Sequence, residues 1–273
     1  MKLFIFFFLL NIAIIAQNKS YIQNFNFYLE PSTEYFFANH ISNLLENKRY
    51  LNRVINNSIE TNGLLVTTKM GFTNKKLDVY YSFAFVVPEF TTLSHIYFIT
   101  NDATAMIIDD IYFGEHTLNI NYAITNNVGF GISYKLRSNS FKGFSNIGDK
   151  IEQLFFTNKV SLFCITIPFK YTFKYITIKS LLNLSIGGST INGNYWSQFL
   201  NFQNPNSPSI PNMFVDNNLF IQGTPHYFQF NIGIEYNLKN LPIGFYYKLQ
   251  NIWSKNEYSE IWNSFTLSTK LFL

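Results

Sequence analysis

The chain has 273 residues, among them 31 Phe and 18 Tyr, a single Cys, 13% charged residues and a net charge of +4. That length fits one large β domain or two small ones. The lone Cys164 excludes an internal disulfide, and a modest charge spread along the chain disfavours nucleic-acid binding. The Asn, Lys, Ile and Phe bias partly matches what an AT-rich genome would give. A mean hydropathy near zero does not argue against a membrane protein, because alternating strands average out.

Residues 1–16 read as a secretory signal peptide. Lys2 supplies the positive end, residues 3–15 are apolar apart from Asn11, and Ala16 is the small residue before Gln17. The apolar run is short for a spanning helix, and no later stretch is long and charge-free enough to be one. Cleavage near Ala16 would leave residues 17–273 as a single domain.

Residues 21–29 alternate Phe25, Phe27 and Leu29 with Asn24, Asn26 and Tyr28, a strand pattern. Residues 30–62 follow as a connection. Ile41, Leu44, Leu45, Leu51, Val54 and Ile55 there recur at roughly helical spacing, which suggests a solvated amphipathic helix within residues 38–55. Residues 63–72 and 77–87 are two further strands joined by a tight turn, and Pro88 ends their pairing. Residues 89–116 read as a long mixed loop with room for an extra hairpin, 95–99 against 105–112.

The clearest hairpin is residues 117–137. Leu118, Ile120, Tyr122 and Ile124 alternate with small or polar residues, Asn126 and Asn127 turn the chain, and Val128, Phe130, Ile132, Tyr134 and Leu136 alternate with Gly129, Gly131, Ser133, Lys135 and Arg137. Asn suits such a turn because it tolerates left-handed backbone. A bulky aromatic face opposite a small wet one is what a strand shows when lipid lies outside and a lumen inside. Residues 138–158 read as a loop, 159–169 and 175–187 as strands around a turn at 171–174, and 188–225 as irregular, since Pro205, Pro208 and Pro211 forbid regular structure in its middle. Strands at 226–237, 243–250 and 263–273 complete the chain, with a turn at 238–242 and a loop at 251–262.

Short turns alternate with long connections, as they do between the periplasmic and outer ends of such barrels. Parity then requires an even strand count, and ten strands satisfy it; twelve follow if the 95–112 hairpin enters the wall, eight if two weak strands drop out. The expected fold is all-β: a closed antiparallel transmembrane β-barrel, because an open edge in lipid leaves backbone groups unpaired. The same alternation with its apolar face turned inward would build a soluble periplasmic or secreted barrel around a lipid-like ligand. The row holding Gly129, Gly131 and Ser133 discriminates between the two.

On this parity the inward charges are Lys69, Asp78, Lys135, Arg137, Lys179, Glu235, Lys248 and Lys270, with Asp78, Glu235 and Lys270 toward the periplasmic end and Lys135, Arg137 and Lys248 toward the outer one. They describe either a lumen favouring anions at its outer mouth or, as is usual in narrow barrels, a salt-bridged filling. Trp253 and Trp262 flank the last outer loop, where an interfacial aromatic girdle belongs. Asp109, Asp110, Glu115 and His116 form an acidic patch in which a divalent cation is conceivable, although their spacing fits no ligand pattern. The four histidines lie in separate segments and no nucleophile motif occurs, so no metal, cofactor or catalytic residue is assigned. An outer-membrane lipid-modifying enzyme remains a third reading, with Ser161 and Ser180 on the lipid side.

Residues 165–189, and within them Ile167-Pro168-Phe169-Lys170-Tyr171, resemble the PorT-type small outer-membrane barrels of Bacteroidota, as does the closing strand NSFTLSTKLFL, which ends Phe272-Leu273 rather than on an aromatic. The resemblance covers mainly residues 117–273. It implies an outer-membrane location, contact with lipid and lipopolysaccharide, delivery by the barrel-insertion machinery, and a role of structural, binding or narrow-channel type, with an accessory place in a secretion or motility complex as one form. It implies no shared catalytic residues.

Overall fold

The computed structural model describes residues 25–42, 57–97, 102–147, 150–201, 217–238, 241–254 and 258–273. The signal-peptide reading and Pro205, Pro208 and Pro211 lie outside these residues. The elements are strands: β1 (Asn26–Ser42), β2 (Asn57–Thr73), β3 (Leu77–Tyr97), β4 (Asp102–Ala123), β5 (Gly129–Ile147), β6 (Lys150–Phe173), β7 (Ile176–Ser185), β8 (Thr190–Asn201), β9 (Asn217–Gly223), β10 (His226–Leu238), β11 (Leu241–Ser254), β12 (Tyr258–Thr269) and β13 (Leu271–Phe272). Pairing is antiparallel throughout, and β1 meets β12 from Ser32↔Ser268 to Ile41↔Ser259, which closes the sheet. β7 and β8 share one place beside β6, β9 and β10 share the next, and β13 extends β12 along β1. The result is a closed ten-stranded barrel.

The alternation of residues 117–137 translates directly into this wall. Phe130, Ile132, Tyr134 and Leu136 of β5 point outward and are 40–46% exposed, while Gly131, Ser133, Lys135 and Arg137 between them are buried. Bulky residues outside and small polar ones inside reverse the order that a soluble ligand-carrying barrel needs. On β10 the outward row runs from Tyr236 back through Ile234 and Ile232 to Phe230 and Phe228, spanning about the 9–11 residues of one bilayer crossing.

Above that belt the wall continues where the sequence suggested loops. Ala38–Ser42, placed in the suggested helix, is the end of β1; residues 43–56 are outside the described part. The extra hairpin is not extra: β3 and β4 run on through it, pairing Leu93↔Met106 to Tyr97↔Asp102. Residues 138–158 are paired strand up to Ile147↔Lys150, Thr190–Asn201 and Asn217–Gly223 are strands within the stretch read as irregular, and Asn251↔Ile261 to Ser254↔Tyr258 replace the last loop. Leu136 to Ile147 adds roughly 35 Å of strand at about 3.3 Å per residue. Polar side chains stayed compatible with strand here because water satisfies both faces of an outer wall.

Pro88 does interrupt pairing, as its missing N–H requires. The β3–β4 ladder stops at Phe85↔Gly114 and resumes at Leu93↔Met106, with a register shift against β2 between Asn62 and Leu64. The bulge folds Thr91 over Gly63, whose missing side chain leaves the room: a Cβ there would sit 2.4 Å from Thr91 Oγ1. Turn chemistry differs from expectation in one place. Neither Asn126 nor Asn127 takes positive φ. Thr125 Oγ1 instead accepts from the backbone N–H groups of Asn127 and Val128, and Ile124 N–H reaches Val128 O at 3.0 Å. The β6–β7 turn sits at Lys174 and Tyr175, with Lys174 at φ 50°.

Candidate functional site in the barrel lumen

The inward row of each strand meets the others in a lumen with two levels. The upper level is filled. Arg137 of β5 donates through Nη1 to Glu260 Oε1 of β12 and through Nη2 to Gln250 Oε1 of β11. β5 and β12 are opposite one another, with four strands between them either way round the wall (β4, β3, β2, β1 or β6, β7, β10, β11). The guanidinium therefore spans the lumen. Its Nε donates to Glu115 Oε2 at 3.1 Å, and its Cζ lies 4.9 Å from the Trp262 ring centroid and 5.4 Å from that of Phe113. Trp262 stacks on Phe36 at 4.6 Å and donates its indole N–H to Glu260 Oε1. Leu65, Ala38 and Val86 pack around them. His40 adds its Nδ1 at 3.4 Å from Glu260 Oε2, and its Nε2 lies 3.4 Å from Thr61 Oγ1. Arg137 and Glu260 are 3% and 0% exposed, so each charge depends on its partner: breaking a buried pair costs about 3–5 kcal/mol.

Just below, Gln229 Oε1 accepts from Lys135 Nζ at 2.8 Å, from Asn183 Nδ2 at 3.1 Å and from the Tyr227 hydroxyl. Lys135 also approaches Glu115 Oε1 at 3.3 Å. Beneath this layer lies a cavity of about 610 Å³ that reaches the turns at residues 73–77 and 125–129. Its upper walls carry Glu34 paired to Lys248 at 2.5 Å, and its lower walls Glu30 with Lys69 at 2.9 Å and Glu235 with Lys179 at 2.5 Å. Asp78 accepts from the Tyr28 hydroxyl at 3.0 Å, and Lys270 stands over the Tyr28 ring, 3.5 Å from its centroid.

All eight charged residues assigned to the lumen from the sequence thus face it. Lys135, Arg137 and Lys248 do not form an outer mouth, however; the wall rises far above them and each is answered by a carboxylate. Of these carboxylates Glu34 and Glu260, like Glu30 beside Lys69, were missed because they lie in segments read as loops, and Glu115 was placed in the acidic patch instead. Phase would have found them: Glu115 continues the inward row of Thr117, Asn119 and Asn121, and Glu260 that of Ser264 and Ser268.

Two sequence assignments are corrected. Trp253 is outward and 38% exposed, but Trp262 is 3% exposed and forms the centre of the plug, because β12 begins before it and turns it inward. The acidic patch is divided between the two sides of the wall at Glu115 and His116. Glu115 points into the lumen, whereas His116, the next residue on the strand, points outward, where its Nδ1 meets the Tyr81 hydroxyl at 2.5 Å beside the Phe83 ring. The side chains of Asp109 and Asp110 lie outside the described part, and the described residues hold no metal-binding group of three His, Cys, Asp or Glu side chains. Cys164 is fully buried.

No family model and no curated protein matches the chain. Among solved structures it is similar to the outer membrane protease OmpT of Escherichia coli, with a TM-score of 0.61 at 12% identity over 92% of this chain and 97% of that one. It is also matched to the Neisserial surface protein A (TM-score 0.32, 9% identity, 90% and 97% covered) and to the Pseudomonas putida toluene transporter TodX (TM-score 0.32, 11% identity, 90% and 89% covered). Superpositions as loose as the last two carry no weight; the first shows a shared fold, that of an outer-membrane β-barrel.

Proposed function

We propose that the protein resides in the outer membrane as a barrel with a sealed lumen, serving a structural or binding role through a cavity that opens to the periplasm, and that it is not an open pore. The Arg137–Glu260 crossing carries this reading, since a pore needs a path where these side chains meet. Orientation follows from the short connections at residues 73–77 and 174–175, which belong at the periplasmic end. The apolar belt meets lipid and lipopolysaccharide, the signal-peptide reading supplies export, and the barrel-insertion machinery supplies assembly. The PorT-type resemblance and an accessory place in a secretion or motility complex belong to the same proposal.

OmpT is a protease, and the row Thr61–His40–Glu260 has the hydroxyl, imidazole and carboxylate of a nucleophilic site. All three are at most 5% exposed and Glu260 is held by Arg137 and Trp262, so we assign the row to the plug. The test is conductance in planar bilayers. The native barrel is expected to be electrically silent, and the double variant Arg137→Ala/Glu260→Ala to conduct. Steady channels from the native protein would overturn the reading.

A further inference from the structure

We infer that the periplasmic cavity is a binding site for a hydroxylated anion, a phosphate or carboxylate compound, anchored at Lys270. The inference rests on the cavity reading above and adds a ligand class to it.

The charge on the cavity wall is lopsided. Lys69, Lys135, Lys179 and Lys248 each lie within 3.3 Å of a carboxylate. Lys270 has no carboxylate within ion-pair distance among the described residues; its ammonium rests on the Tyr28 ring, with Phe272 at 5.5 Å. An ammonium resting on an aromatic face still has N–H donors to offer a second partner. Lys75, Lys76 and Lys170 line the mouth on the periplasmic turns, so cations outnumber carboxylates there. Asp78 and Glu235 also lie at this end, so the charge there is a cation excess, which in a low-dielectric cleft concentrates anions.

A second observation points to hydroxyls on that ion. Asn119 and Asn183 line the cavity, are each 1% exposed, and leave their Oδ1 atoms without a hydrogen-bond partner. Buried amide oxygens are costly when unmatched, and a ligand hydroxyl matches them. The volume of about 610 Å³ lies within the range of small-molecule sites. The same chemistry is found in a free polyol phosphate and in the glycerol phosphate headgroup of a lipid in the facing leaflet.

The purified full-length barrel in a zwitterionic detergent would be titrated calorimetrically with glycerol phosphate and with glycerol. In parallel, micelles doped with phosphatidylglycerol or phosphatidylcholine would be scored by native mass spectrometry. Saturable uptake of glycerol phosphate, weakened about ten-fold or more by Lys270→Gln and untouched by Lys174→Gln outside the cavity, is the expected result and assigns a free ligand. Retention of phosphatidylglycerol alone, lost in Lys270→Gln, supports the site with the lipid as its source. Equal binding of glycerol and glycerol phosphate, or equal behaviour of native and Lys270→Gln protein whose folding is confirmed by heat-modifiable gel mobility, overturns it. A conducting native barrel would instead refute the sealed lumen and leave these titrations readable.

Discussion

The lower and upper halves of this barrel are built from the same strands under different constraints. In the lower half the outer surface is dominated by residues such as Phe130, Ile132, Tyr134, Ile234 and Phe245, and the strands alternate because hydrocarbon excludes charge. In the upper half the same strands carry Glu60, Asn62 and Lys159 outward, because water tolerates either kind. Strand formation persists across the boundary, but its signature in the residues does not. Interior chemistry differs as well: the lower lumen keeps a cavity, and the side chains of Arg137 and Trp262 cross above it.

Removing one arm of that crossing should have the largest effect. Arg137→Ala leaves Glu260 and Glu115 facing each other's charge without a cation between them, and is expected to cost about 3–5 kcal/mol. Urea unfolding read by heat-modifiable mobility would measure it. The apolar pair Arg137→Met/Glu260→Met should recover most of the loss, and failure to recover would mean the pair does more than balance charge. Next comes the boundary itself. Ile132→Arg places a charge in the belt and should cost about 2–4 kcal/mol, depending on depth. Ser140→Arg, on the same face of β5 farther up, should stay within about 0.5 kcal/mol. Equal losses would move the top of the belt above Ser140.

A smaller effect is expected in the lower lumen. Tyr246 lies across Gly233 and Gly244, so close that a Cβ on Gly233 would come within 2.2 Å of the ring and 2.4 Å of Phe245 O. Gly233→Val should therefore destabilise by about 1–3 kcal/mol through overpacking. Tyr246→Ala in the same background should relieve the ring clash but not the backbone one.

These halves also explain what could be read from the sequence. Strand number, closure and the facing of Lys69, Asp78, Lys135, Arg137, Lys179, Glu235, Lys248 and Lys270 were legible because lipid enforces phase. The plug was not. Half of it, Glu115, Glu260, Trp262 and Phe36, sits where the outer rows turn polar, and alternation between two polar faces leaves no contrast to read. Trp262 looked interfacial for that reason, and the acidic patch counted Glu115 and His116 together although these neighbours on a strand face opposite sides. Pro88 was legible as a break in pairing, but not the Thr91–Gly63 packing that lets the strand go on beyond it.

The Arg137–Glu260 bond has one consequence for how the cylinder keeps its section. Its two ends are 123 residues apart in the chain and sit on walls with four strands between them either way round, one of them on the strand that shuts the seam from Ser32↔Ser268 to Ile41↔Ser259. The bond therefore acts as a tie-rod: it fixes the spacing of facing walls from inside, so that flattening the cylinder pulls two buried charges apart.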